Sequence, residues 1–293
     1  MLPTRLTELG AVVSIKCWTA EDIIPALLDS DLATFLWAED YVQHPDAFAE
    51  FLNQAEVAVQ AYAGVAGKVA PRMLNNIPFV RWNMDKKYLL DIKDAGFAIP
   101  QTEILDTKAF SSVEALHSRL QLFQQSGSII LKPSISASSG NTHLIAEVSA
   151  LSLNDLAYLD WCIKGSLTSS LVIQQFEPAI ALGEYSFIFI AGILTHVILK
   201  SPTEGEFRCQ PAFGGRLSHV PIGEIKETLL STANKILKTL TSWFGEIGYV
   251  RVDGLLPDDG RGFVLMEIEA IEPELYLRFG GLQEMLSLLL ARG

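Results

Sequence analysis

The chain has 293 residues, a formal net charge of −12 and close to half its residues hydrophobic, enough for one large domain or a few small ones with real cores. The acidic balance argues against sequence-independent binding to nucleic acid or to an anionic membrane, both of which need a basic surface. No apolar run approaches the ~18 residues of a membrane span, so no membrane partner is expected.

In chain order, Pro3–Leu9 reads as a short helix ended by Gly10, and Ala11–Trp18 as a strand. Asp22–Leu28 reads as a helical turn and Leu32–Trp37 as a second strand. His44-Pro45 then opens a helix with Phe48, Phe51, Leu52 and Ala55 on one face. Sheets of this kind usually open with a strand, whereas this chain opens inside a helix, so the first strand is expected to be missing. The N-terminus lacks a charged start followed by an apolar core, the pattern of a secretory signal. Cys17, Cys162 and Cys209 are far apart, odd in number and set in apolar surroundings. A reduced, cytoplasmic chain with buried thiols is expected.

Asn83–Ala95 reads as one amphipathic helix, capped by Asn83 or Asp85 and ended by Gly96. Phe97–Leu105 leads into a strand, and Ser112–Gln125 is a helix with Val113, Leu116, Leu120 and Phe123 inward. Ile129–Leu131 is a short strand ending in Lys132-Pro133. The following Ser134–Thr142 is small and flexible, and its backbone amides either cradle phosphate oxygens or form an ordinary loop. Leu171–Gln175 is a strand, and Glu184–Ile190 with Ile193–Lys200 is a hairpin about Ala191-Gly192. Ile222–Glu246 is a long helix broken near Gly245, and Leu282–Ala291 a closing one.

Tyr249–Leu256 and Phe263–Glu269 flank the turn-rich Pro257–Gly262 and read as a second hairpin. A turn centred near Gly260 sets Asp253 opposite Glu267 and Arg251 opposite Glu269. Val250, Val252, Met266 and Ile268 then fill the other face. Three carboxylates against one arginine suit either a solvated acidic face or a divalent cation. Oxygen-only ligands favour magnesium, manganese or calcium over zinc. His196 lies on an apolar strand and reads as a satisfied core histidine. Lys86 and Lys87, taken alone, read as the solvent face of a helix.

The segments NMDKKYLLDIKDAGFAIPQT, ILKPSISASSGNTHLI, VIQQFEPAIALGEYSFIFIAGILTHVILKSP, FRCQPAFGG and VRVDGLLPDDGRGFVLMEIEAIEPELYL follow one another from residue 83 to 277. In this order and spacing they resemble the ATP-grasp superfamily of carboxylate ligases. Within it they are most similar to the branch of the glutathione-synthetase-like domains and the cycloserine-pathway cyclo-ligase acting on O-ureido-serine. The resemblance implies a mixed α/β (α+β) chain. Two α/β subdomains clasp ATP, at 83–170 and 171–293, behind a reduced Rossmann-like unit at 1–80.

It further implies that Lys86, rather than Lys87, sits near the α-phosphate and that Lys132 lies over the nucleotide. Ser138, Ser139 and Gly140 belong to the phosphate loop. Gln175, Phe176 and Glu177 are the adenine-reading linker, largely through backbone groups, and Glu184 lies near the ribose. Lys200, Arg208 and Arg251 are the catalytic cations, and Gly214-Gly215 admits substrate closely. Asp253, Glu267 and Glu269 hold Mg²⁺ (or Mn²⁺); many relatives carry asparagine where Glu269 stands. The expected partners are ATP, a small amino-acid-like carboxylate and an amine or other nucleophile, without nucleic acid, and with oligomeric state open. Intramolecular ring closure and a non-catalytic ATP-binding regulatory subunit are the alternatives.

Overall fold

A computed structural model describes residues 2–125, 127–166 and 170–291. The first unit carries α1 (Leu2–Glu8), α2 (Ile23–Leu28), β1 (Leu32–Thr34), α3 (Pro45–Ala63) and β2 (Arg72–Leu74), with β1 and β2 paired in parallel. Phe48, Leu52 and Ala55 of α3 are fully buried against Trp18, Phe35 and Tyr41. The strand expected at Ala11–Trp18 does not form. A strand needs a neighbour for its backbone groups, and among the described residues none pairs with this segment. Val12 and Ile15 face outward, and only Trp18 turns in, donating from Nε1 to Asp40 Oδ1 at 2.6 Å. Cys17 in this segment is exposed, contrary to expectation, while Cys162 and Cys209 are buried; all three are free thiols.

The single helix expected over Asn83–Ala95 is two, α4 (Ile77–Asn83) and α5 (Tyr88–Asp94). Tertiary hydrogen bonds decide the break. The Lys86 amide bonds Ser134 O at 2.7 Å, and the Asn83 side chain, which caps no helix, reaches residues 268 and 270 instead.

The second sheet has the order β3-β6-β4-β5 and is antiparallel. It is formed by β3 (Thr102–Leu105), β4 (Ile129–Pro133), β5 (His143–Ile145) and β6 (Leu171–Gln175). Two helices cover one face, α6 (Val113–Phe123), capped by Ser112, and α7 (Leu153–Trp161), with a capping box between Ser152 and Asp155. Alternation along β4 sends Ile129 and Leu131 into that core and leaves Ile130 and Lys132 on the opposite face. Leu171–Gln175, expected to open the third unit, pairs with β3 and β4 and belongs to this sheet.

The third sheet, β11-β10-β7-β8-β9, is antiparallel throughout. Its strands are β7 (Glu184–Ile190), β8 (Ile193–Ser201), β9 (Arg216–Val220), β10 (Tyr249–Leu255) and β11 (Val264–Glu269). Ala191 and Gly192, both at positive φ, make the tight turn between β7 and β8. Phe187, Phe189, Val250 and Val252 pack against α8 (Glu227–Phe244) and α5. The other face is apolar at one end, where Ile188, Ile190, Ile198 and Tyr249 meet α9 (Leu282–Leu290). His196, on this face, is buried; it contacts Leu275 O at 3.0 Å and Thr195 Oγ1 at 2.8 Å. Among the described residues no helix is long and apolar enough to cross a membrane.

Asp253 stands opposite Glu267 and Arg251 opposite Glu269, the register expected from the turn. One departure follows from a bulge. The pairing shifts from Asp253/Glu267 to Gly254/Leu265, which leaves Met266 without an opposite residue. Leu265 therefore enters the core in place of Met266, which turns into the cavity. Gly254 sits at the shift, where a Cβ would lie 2.3 Å from the Phe263 ring.

As an edge strand, β11 exposes backbone groups that need partners. Asn83 supplies two, donating to Ile268 O at 2.7 Å and accepting from Ala270 N at 2.8 Å, and the Tyr88 hydroxyl bonds Ile268 N at 2.9 Å. Asn83→Ala leaves the Ala270 amide unsatisfied at a cost of about 1–3 kcal/mol, while Ile268 O keeps the Tyr88 hydroxyl at 3.1 Å. Urea denaturation checks this; an unchanged midpoint would mean that water replaces the amide.

Candidate active site

A cavity of about 840 Å³ lies where the second and third sheets face one another. The helix-free face of the second sheet lines it through Ile130, Lys132 and Gln174. The third sheet contributes the far end of the face that α9 covers, where alternation brings Glu184, Lys200, Arg251 and Asp253 to the wall. Of the site residues expected from the sequence, all but Gly140 and the Gly214-Gly215 pair line this cavity. The Gly140 amide closes a local turn on Ala137 O at 2.8 Å.

The ionic centre is a chain of alternating charges. Lys200 sits opposite Glu184 in the β7–β8 register and bonds its Oε2 at 2.7 Å. The same Nζ bonds Asp253 Oδ2 at 2.7 Å. Asp253 also accepts from Ser186 Oγ at 2.7 Å and from Arg251 Nη2 at 2.9 Å. Arg251 continues to the Glu269 carboxylate and to Glu274 O at 3.1 Å. Burial alone raises the Asp253 carboxyl, but Arg251 and Lys200 outweigh it and hold it at about 2. The hairpin face is thus not three carboxylates against one arginine, as the strand pair alone suggests. Lys200 reaches Asp253 from β8, and Lys86 reaches Glu267 Oε1 at 3.2 Å.

Lys86 is buried, because the break between α4 and α5 turns it inward, and its Nζ also donates to Ser136 O at 2.5 Å. Lys87 points outward to Asp85. Burial lowers the Lys132 ammonium to about 8, with nearby Glu267 opposing. Burial, then the nearby Glu39 charge, pushes the Glu272 carboxyl up to about 7.

Several expected residues are already engaged within the chain. Phe176 N donates to Ser128 O at 3.2 Å. The Glu177 carboxylate is clamped by Arg261 through two bonds of 2.7 Å. Arg208 folds onto Glu206 and stacks over Phe213 at 3.7 Å. Ser139 Oγ accepts from Gln210 Nε2 at 2.7 Å, which joins the small-residue loop to the segment before β9. Ser138, Ser139 and Asn141 adopt positive φ, so this loop is tightly turned. Gly215 is held so close to Cys209 that a Cβ would lie 2.1 Å from its carbonyl oxygen.

The carboxylates offer hard oxygen donors suited to Mg²⁺. Glu267 and Glu269 are two residues apart on one face of β11, and each meets its cation through Oε1 alone. Asp253 already holds two cations, and among the described residues no three His, Cys, Asp or Glu side chains are gathered as a metal cluster. By donor chemistry, Glu267 and Glu269 each keep an oxygen of the kind such an ion takes, while Asp253 beside them is engaged by Lys200, Arg251 and Ser186.

Sequence reading missed four contributors. Asn83 and Ser186 are ordinary polar residues until the fold sets them against β11 and Asp253. Met266 is hidden by the bulge. Tyr41 comes from the first unit, whose sequence carries no motif.

The family model for the ATP-grasp domain of prokaryotic glutathione synthetase matches residues 99–250, just over half the chain. No curated protein matches it. Among solved structures, D-cycloserine synthetase DcsG superposes with a TM-score of 0.77 at 18% identity, covering 98% of this chain and 92% of that one. The ADP complex of purK, N5-carboxyaminoimidazole ribonucleotide synthetase, gives 0.58 at 14% identity over 92% and 61%. VanG D-Ala:D-Ser ligase from Enterococcus faecalis gives 0.54 at 13% over 83% and 64%. At these identities the likeness is one of fold. The sequence match and the paired antiparallel sheets with a charged cavity between them agree, and the chain belongs to the ATP-grasp family, through its glutathione-synthetase-type ATP-grasp domain.

Proposed function

We propose that this chain is an ATP-dependent ligase that activates a small carboxylate as an acyl phosphate for attack by an amine or another nucleophile, releasing ADP and phosphate. The observation that carries this reading is the convergence of Lys86, Lys132, Lys200 and Arg251 with Asp253, Glu267 and Glu269 in one cavity. A carboxylate attacking a phosphate brings two anions together, and buried cations lower that barrier. Mg²⁺, bound through Glu267 and Glu269 beside Asp253, supplies charge neutralisation on the phosphates.

The chain's own residues do the remaining work. Lys132, and Lys86 held against the segment just after β4 by Ser134 O and Ser136 O, neutralise the phosphates. Arg251 is locked in orientation by Asp253, Glu269 and Glu274 O, so its guanidinium offers a fixed charge to the carboxylate under attack. Glu184 and the linker Gln175–Glu177 line the nucleoside end, where Arg261 stiffens the linker through Glu177. The Ser134–Thr142 loop, tied to Gln210, shields the acyl phosphate from water.

A second reading is ring closure within one molecule, favoured by the near full-length likeness to D-cycloserine synthetase. It differs only in where the nucleophile resides. A regulatory subunit without catalysis fits less well, because the full set of cations and carboxylates is present.

Incubation with Mg²⁺-ATP, a panel of amino acids and hydroxylamine tests the proposal. ADP, phosphate and a hydroxamate are expected with one acid. AMP and pyrophosphate would instead establish adenylation and overturn it.

A further inference from the structure

The turn that joins β10 to β11 reaches the linker between β6 and β7. Arg261, on this turn, donates through Nη1 and Nη2 to the two Glu177 carboxylate oxygens, each at 2.7 Å. Asp259 sets the guanidinium in turn, accepting from Arg261 Nε at 2.7 Å and from the Arg261 amide at 3.0 Å. A planar fork on both oxygens fixes the orientation of a carboxylate as well as its position. Glu177 is 5% exposed, and Arg261 is its only ion-pair partner among the described residues. The linker backbone is mostly engaged. Gln175 N donates to Gln101 O at 2.9 Å and Phe176 N to Ser128 O at 3.2 Å, and the Glu177 carbonyl accepts from Ile180 N at 3.1 Å. Of the three amides at Gln175, Phe176 and Glu177, only that of Glu177 has no hydrogen-bond partner among the described residues. Pro178, next in the chain, has no amide to give. The linker residue with the free donor is therefore the one that Arg261 clamps, and it lines the cavity.

We propose that Arg261 is a positioning residue for the nucleotide base: through the Glu177 carboxylate it holds the Glu177 amide against the edge of the base, and so sets a preference for adenine over guanine nucleotides. The inference rests on the ATP reading above and deepens it at a residue outside the linker. Adenine presents an acceptor at N1, where guanine presents an N–H. An amide held rigidly at that edge donates to adenine, but it meets a second donor in guanine, and both N–H groups are left unpaired. Sites built around such polar groups reject the mismatched analogue more strongly than apolar pockets do. A linker without the clamp is free to turn its amide away, and guanine is then tolerated.

The test is calorimetric binding of β,γ-imido-ATP and β,γ-imido-GTP, each with Mg²⁺, to the full chain. The two analogues share ribose, phosphates and metal, so the ratio of their affinities reads the base alone. The unaltered chain is expected to bind the adenine analogue about 10-fold or more tightly than the guanine one. Arg261→Ala strands a buried carboxylate and is expected to lower the urea midpoint; adding Glu177→Gln removes that charge and restores the midpoint. Both the single and the double variant are expected to bring the ratio to within about threefold. Arg261→Lys, whose one ammonium cannot fork two oxygens, is expected to fall between. The double variant and Arg261→Lys carry the test if Arg261→Ala does not fold. A wild-type ratio in the double variant would mean that Arg261 only neutralises Glu177. That result, an undiminished ratio in the variants that fold, or no base preference in the unaltered chain overturns the proposal. Failure to bind either analogue overturns it together with the ATP reading. ADP release with the amino-acid panel is recorded in parallel. A base preference lost in the variants, without ADP release by the unaltered chain, upholds the role of Arg261 and removes the ligase reading; ADP release with an undiminished preference does the reverse.

Discussion

Replacing Lys200 by methionine is expected to lower the stability of the chain by about 3–5 kcal/mol, because it removes one partner from a buried ion network. Lys200 is 3% exposed and bonds both Glu184 and Asp253 at 2.7 Å. Asp253 keeps Arg251 and Ser186 after the change, whereas Glu184 loses its only ion-pair partner among the described residues. The second substitution Glu184→Gln is therefore expected to recover part of the loss, since no carboxylate then remains buried without a cation. Urea denaturation of both single variants and the double variant measures the coupling. A single-variant loss below about 1 kcal/mol would show that Glu184 simply takes up a proton, and that the network contributes little to folding. Activity is expected to fall together with stability, because Arg251 is aimed through the same Asp253.

Glu267→Gln is expected to lower turnover by on the order of 10²-fold or more with the fold intact. The amide keeps the size and shape of the side chain but removes a carboxylate that lies between Lys86 and the proposed ion. Lys86 retains its bond to Ser136 O, and the β10–β11 pairing is a backbone feature that the change does not touch. Near-wild-type turnover in Glu267→Gln, with an unchanged Mg²⁺ requirement, would sink the metal assignment. A raised Mg²⁺ requirement with an unchanged urea midpoint would support it.

The two expectations separate what the ionic centre does for folding from what it does for chemistry. Lys200 and Asp253 are among the least exposed charges in the chain and hold the third sheet's polar end together. Glu267 and Glu269 lie at the edge of the same sheet, partly open to the cavity, with oxygens to spare. The first pair is expected to register mainly in stability and the second mainly in rate.

Much of the site was legible in the amino-acid order. Period-two alternation and turn residues near Gly260 were enough to set Asp253 against Glu267 and Arg251 against Glu269, because register in a hairpin follows from turn position. The same reasoning gave the β7–β8 hairpin about Ala191-Gly192, and the structure adds its pairing of Glu184 with Lys200. The segments resembling the ATP-grasp superfamily ordered these residues along the chain.

Local pattern failed wherever a long-range partner decided the outcome. Ala11–Trp18 has strand composition, but no strand pairs with it among the described residues. Asn83–Ala95 has helical periodicity, yet the Lys86 amide and the Asn83 side chain form stronger claims elsewhere, and this break is what buries Lys86. Met266 was assigned by strict alternation, which a single bulged residue reverses. The sequence by itself determined the hairpins, the placing of Asp253 opposite Glu267 and Arg251 opposite Glu269, and the residue types that make an ionic site, because these depend on neighbours a few positions away. Only the tertiary structure decided which charges neutralise which and how the first unit completes the cavity through Tyr41 and Glu39, because such pairings join residues far apart in the chain, and it is packing that brings them together.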